Sequence, residues 1–475
     1  MCCSKRAIIF SIIAGTMVYA SSVLMAGTGV GGYYELETAS YESSDFRWNI
    51  AKPMHHLNLK LWSDPVKGSD LYAECGAWSN TSDPQAKFWL VQSHARFWQQ
   101  HHELLLTARE ERHWINSPLL RLVDVDKVKD DQWGPKALAL RYDLHDLAGT
   151  NASAVVSRYT TTPAFAYIGK INKNIWRAGP LDDSLEMGFS ALRKEWDDGS
   201  GWGLNWNDVF SGDLNLGILG ANFIAEYAIS SDLEGEQKYY TDSSAWCMEL
   251  RGMRIGPLYL TWNRYNYGKY FHDRLSKKFD LDDHNFDRDG YYAEAVFLVP
   301  KKTINLTYKR DDFVSSYDED NNDYDSFFAS KWRREWNYAE VYTELVGNLK
   351  TKLATDWTVK QRTTTTGSAW LELSSENQFA YARMRAKVKD IYTSTSEPYF
   401  TIDMETGVNF GDRWRFYWHL ADLVGSNIWS NSFYQLRYMV GWNIEAYFEF
   451  GSNMDAEALS AEQNGLLKSF IRINF

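Results

Sequence analysis

Charged residues recur at alternate positions near the C-terminal end of the chain. Arg383, Arg385 and Lys387 alternate through FAYARMRAKVK, Asp403 and Glu405 through YFTIDMETGVNF, and Arg415, Arg437, Glu449 and Arg472 continue the series. In a strand, every second side chain points to the same face, so each group shares one surface. Turned to a water-filled space, rings of charge of both signs set the selectivity of a pore. Joined across neighbouring strands, the same charges attract and stiffen the wall. Both roles are open for these nine residues.

Other stretches suggest binding. WDDGSGWGLNWND places Trp196, Trp202 and Trp206 among glycines and acids; rings that stack on apolar sugar faces beside carboxylates that accept hydroxyl protons would suit a saccharide-binding rim. Rings that simply pack the loop onto its scaffold are the plainer account. In DDHNFDRDG, Asn285, Asp287, Asp289 and Gly290 have the spacing of the first ligands and turn glycine of a calcium loop. The first position should be Asp and the twelfth a bidentate Glu, but here they are Asn285 and Val296. Asp287 and Asp289 therefore make a weak calcium candidate, with a solvated acidic loop as the alternative, and DEDNNDYD (318–325) reads the same way. His55 with His56, His101 with His102, and His94 and His113 lack the carboxylate or cysteine partners of a metal site. No nucleophile motif of the G-x-S-x-G kind occurs, so no catalytic residue is assigned, and no cofactor is implied.

The elements that would position these residues are strands. Segments of about ten residues with period-two alternation recur from end to end, for example His55 to Leu61, Asp70 to Trp78, Leu258 to Tyr267 and Tyr291 to Val299. Tight connections (255–257, 300–302, 347–350, 410–413, 441–444) alternate with longer polar ones (231–244, 268–289, 311–337, 389–398, 424–432, 452–465). Short turns on one rim and long loops on the other describe an up-and-down transmembrane barrel. Such a wall turns its apolar face to lipid and its polar face inward; the reverse register would cost about 2–4 kcal/mol for each basic residue near the midplane. Trp62, Trp78, Trp357, Trp414 and Trp442 fall toward strand ends, where aromatic belts sit. The expectation is an all-β chain forming a single antiparallel barrel over 27–475. About 18–22 strands are expected, within a span of 16–24; the segments around Val155, Ala166 and Trp370 are the least clear. A barrel of that size encloses more space than side chains fill.

Composition sets the remaining bounds. The 475 residues carry a formal net charge of −12 and a mean hydropathy of −0.45, which argues against a helical membrane protein and against nucleic acid as a partner. Lys5 and Arg6, the apolar run 7–18 and the small residues Ala20 to Ser22 form a secretory signal peptide within 1–26, cut between 20 and 26. Of the 4 cysteines, Cys75 and Cys247 remain beyond it, too few for a disulfide framework.

The chain ends LLKSFIRINF. Ile471, Ile473 and Phe475 share one face and Lys468 and Arg472 the other. This ending, with the signal peptide and the alternation across the mature chain, resembles the C-terminal signature of Gram-negative outer-membrane barrel proteins. The resemblance implies a location in the bacterial outer membrane. It also implies contact with outer-membrane lipid and lipopolysaccharide, and recognition of Ile471, Ile473 and Phe475 by the barrel assembly machinery. The functional expectation is a porin-like channel for passive diffusion of small hydrophilic solutes such as saccharides or organic ions. A secreted or surface all-β carbohydrate-binding or adhesive protein and a barrel enzyme are the alternatives.

Overall fold

A computed structural model describes residues 28–43, 48–50, 54–80, 87–108, 117–123, 138–158, 164–178, 183–196, 205–234, 237–239, 243–273, 275, 287–315, 317–318, 323–324, 332–345, 348–360, 363–391, 397–420, 432–451 and 463–475. The signal-peptide expectation lies outside these residues, as do Trp202, Asn285 and His113. Among the described residues there is no helix. Twenty-four strands, each paired antiparallel with its neighbours in sequence, form the wall. The first, Thr28–Ser43, pairs with both the second, Met54–Ser63, and the last, Gln463–Asn474, so the sheet closes on itself. Closure removes the open edge that hydrocarbon cannot solvate.

The two rims differ as the connection lengths predicted. Tight turns join Asn205–Ile218 to Ala221–Glu234 and Trp414's strand to Phe410's on one rim, the rim at which the chain also ends. At Leu219 and Gly220, φ values of 53° and 78° give the two left-handed residues of a hairpin turn that matches strand twist. On the other rim, strands Ile304–Ser315 and Trp332–Glu344 reach further than expected. Residues 311–315 and 332–336, read as loop from their polar character, pair across it.

Twenty-four strands stand at the top of the expected span because the segments around Val155, Ala166 and Trp370 are all wall strands: Thr150–Arg158, Phe165–Ala178 and Thr363–Glu376. The first two hid because apolar side chains stand on both their faces. Val156, Tyr167 and Ile171 are exposed on the outer face, as lipid contact requires. Val155, Ala166 and Ile168, one residue out of phase, are buried beneath two segments folded against the inner face, 117–123 and 268–273 with Leu275. Leu120, Leu122 and Phe271 are fully buried there, against Leu192, Val209, Ile224 and Ala228 of successive strands. A strand buried on both faces loses its alternation. One sector of the barrel is therefore lined by an apolar core; the remainder keeps a polar inner face.

Candidate functional site: the polar inner wall and the segment facing it

All nine charged residues read from the sequence fall on the inner face. Across Ala380–Lys389 and Tyr399–Phe410, Arg383 lies opposite Glu405, Arg385 opposite Asp403 and Lys387 opposite Thr401. The pairing they make is only partly the one expected. Arg383 does bridge to Glu405 at 2.7 Å, but Arg385 turns to the preceding strand and binds Glu372 at 2.5 Å. Arg415 and Arg437 stand directly opposite one another, an arrangement that repels; Arg437 is held instead by Glu445 at 2.5 Å. Glu449 accepts a hydrogen bond from Gln435 at 2.6 Å. Arg472 crosses the closing seam to Glu35 at 2.6 Å, tying the last strand to the first by charge as well as by backbone. Glu35, Glu372 and Glu445 were missed in the sequence although each lies on the polar register of its own strand.

Two cations differ from the rest. Arg415 is exposed on the inner face and has no carboxylate partner among the described residues, and Lys387 lies 5.2 Å above the Trp370 ring rather than on an acid. The wall thus combines charges neutralised in place with charges open to a passing ion.

The ion-pair lattice continues on both sides of this sector. Lys352 reaches Glu340 at 2.7 Å, and beyond the seam Arg96 grips Glu103 through Nε and Nη2, both at 2.8 Å. Such two-pronged contacts fix the guanidinium plane. Opposite, the in-folded segment is anchored by one carboxylate. Glu226 is 2% exposed, and its Oε2 accepts the backbone N–H groups of Leu119 and Leu120, each at 2.9 Å. The second segment is fixed by the side chain of Asn207, whose Nδ2 donates to the His272 carbonyl at 3.1 Å, and by Ser230 Oγ, which accepts the His272 N–H at 3.1 Å.

Other candidates are separated by the fold. Trp196 is on the inner face against the apolar core, whereas Trp206 pairs opposite Glu195 on the outer face under the Arg193 guanidinium. These two rings cannot form one stacking platform, because they occupy opposite phases of their strands. Asp289 also points outward, where Arg264 takes its carboxylate at 2.6 Å; Asp287 sits at the loop rim with φ of 57°. No group of three or more metal-binding side chains occurs among the described residues. His55 bonds to the Tyr34 hydroxyl at 2.6 Å on the face away from His56, His102 to the Tyr142 hydroxyl at 2.7 Å, and His94 to Asp70 at 3.2 Å. Ile471, Ile473 and Phe475 face outward, and Phe475 exchanges two backbone hydrogen bonds with Gly32, at 2.9 and 3.0 Å.

No protein-family model and no curated protein sequence matches this chain. Solved structures do. A siderophore receptor, PirA from Pseudomonas aeruginosa, aligns over 94% of this chain and 80% of its own with a TM-score of 0.52 at 10% identity. The ferric enterobactin receptor PfeA, in complex with BCV-L6, aligns over 95% of this chain and 82% of its own with a TM-score of 0.50 at 8% identity. The likeness is one of fold: this chain has the large closed barrel of bacterial outer-membrane proteins.

Proposed function

We propose that the protein is an outer-membrane channel for the passive diffusion of small hydrophilic solutes. The observation that carries this reading is the division of the interior. One sector is dry, with 117–123, 268–273 and Leu275 packed on it, while the facing sector is a continuous lattice of paired and unpaired charge. A barrel of this strand number has room inside for water, and charges of both signs along one side give a hydrated solute successive partners. The receptors that share the fold support passage across the outer membrane as the general activity. In this reading Arg383, Arg385, Lys387, Asp403, Glu405, Arg415, Arg437, Glu449 and Arg472 line the path, with the ion pairs holding its shape. Swelling of liposomes containing the folded protein tests it: small sugars and amino acids should enter at rates that fall with solute size. Swelling no faster than in protein-free liposomes contradicts the proposal.

A further inference from the structure

Three large rings on the inner wall lie directly over glycines. A methyl group on Gly29 would overlap the indole of Trp62, whose Cη2 and Cζ3 also reach to within 3.1 Å of the place a methyl on Gly31 would take. Atoms from both indole rings thus approach the backbone of Thr28–Ser43, so the ring rests along the wall with its other face toward the interior, and Trp62 is 44% exposed. Trp89 lies over Gly76 in the same manner, and Tyr381 over Gly407. Glycine is required at these positions because any Cβ would lift the ring.

The first two rings belong to one surface. In the inner-face register of the strands between 28 and 99, Trp62 stands beside Tyr72, which stands beside His94; Tyr72 and His94 are stacked at 5.5 Å. The next row toward the loop rim holds Glu74, whose carboxylate accepts Asn58 Nδ2 at 2.6 Å, the Tyr72 hydroxyl at 2.8 Å and Gln92 Nε2 at 2.9 Å. Trp89 lies in the row beyond. From Asn58, in the Trp89 row, to Trp62 is four residues, roughly 13 Å along the strand. Ring faces therefore alternate with a cluster of acceptor and donor groups.

We infer that this surface binds saccharides: the Trp62 and Trp89 rings stack on the apolar faces of successive sugar units of a linear oligosaccharide, while Asn58 and Gln92, oriented by the buried Glu74 carboxylate, exchange hydrogen bonds with its hydroxyl groups. The chemistry fits this ligand better than an ion or a peptide. A sugar ring has one flat C–H face and an equatorial belt of hydroxyls, each both donor and acceptor, so it needs a platform and mixed polar partners together. The inference deepens the channel reading and rests on it for the sugar's route to the site.

Two measurements separate the site from the channel. Tryptophan fluorescence of the detergent-folded protein, titrated with a linear glucose hexasaccharide, should change saturably, and Trp62→Ala should raise the half-saturating concentration about tenfold, with Trp62→Phe intermediate. Polyethylene glycol of matched size should produce no change. In planar bilayers the hexasaccharide should block current with the same order of variants. The heat-modifiable gel mobility of each variant confirms that it is folded. A hexasaccharide that alters neither fluorescence nor current, or a folded Trp62→Ala protein that binds it as the parent does, overturns the saccharide site while leaving the channel intact. Saturable binding lost in Trp62→Ala by a protein that passes no current upholds the site and removes the channel.

Discussion

The Glu226 anchor gives the sharpest test of how the interior is divided. Glu226→Ala removes the acceptor for two buried amides, and leaving a buried donor unsatisfied costs about 1–3 kcal/mol. Losing both bonds therefore weakens the docking of 117–123 by about 2–6 kcal/mol. Burial of Leu120 and Leu122, each 0% exposed, opposes release with about 1.5–3 kcal/mol apiece, so the segment loosens rather than leaves. Arg121 stands between those leucines and is a trypsin site within the segment. Protease attack follows the population of the open form when reclosing is fast. The lower limit of the energy then corresponds to cleavage after Arg121 about 30-fold faster than in the parent protein. Glu226→Gln keeps an acceptor oxygen without the charge, and neutral hydrogen bonds are about half as strong, so its rate should fall between the two. Mass spectrometry of limited digests of the folded barrel, with heat-modifiable mobility as the control for folding, reads the result. Equal cleavage after Arg121 in Glu226→Ala and the parent would refute the anchoring role.

Further outcomes follow from the wall and the seam. Because Arg383 and Arg385 neutralise Glu405 and Glu372, reversing them sets like charges together and lowers stability. Replacing the unpaired cations instead, as Lys387→Glu with Arg415→Glu, should shift the zero-current potential toward cation selectivity in a salt gradient, and an unchanged potential would assign them no part in ion passage. Gly407→Ala should lower the temperature of heat modification through overlap with Tyr381, at a cost of about 1–3 kcal/mol; Tyr381→Ala should restore much of it, and no restoration would mean that the ring is not what Gly407 accommodates. Deleting Phe475 removes the pair of backbone hydrogen bonds to Gly32 and the last outward aromatic, so it should reduce the amount of assembled barrel more than the current carried by each assembled molecule. Equal assembly with and without Phe475 would show that the ending has no special part.

The barrel was legible in the sequence wherever the two faces of a strand met different solvents. Ala380–Lys389 and Tyr399–Phe410 meet lipid on one side and polar partners on the other, and their registers came out as read. The segments around Val155 and Ala166 resisted the same reading because Val155 and Ile168 meet a folded-in loop where other strands meet polar groups. A signal for that loop was present: the apolar cluster Leu119, Leu120, Leu122 and Val123 inside a long connection, and the carboxylate Glu226 set between the apolar Ile224 and Ala228 of its register. Ion-pair partners such as Glu372 for Arg385 were not readable, because alternation fixes the face of a residue but not which neighbouring strand its side chain will choose. The aromatic surface near Trp62 was equally hidden: Trp62 and Trp78, expected in an outer aromatic belt from their place near strand ends, stand on the inner-face register. Its sign is a glycine opposite an aromatic on another strand, which only the register reveals.

Single-channel recording in planar bilayers tests the central claim most directly. Folded, heat-modifiable protein should insert and give discrete, long-lived conductance steps in salt solution, with the step size altered in Lys387→Glu with Arg415→Glu. Folded protein that inserts and carries no current above background would contradict the account.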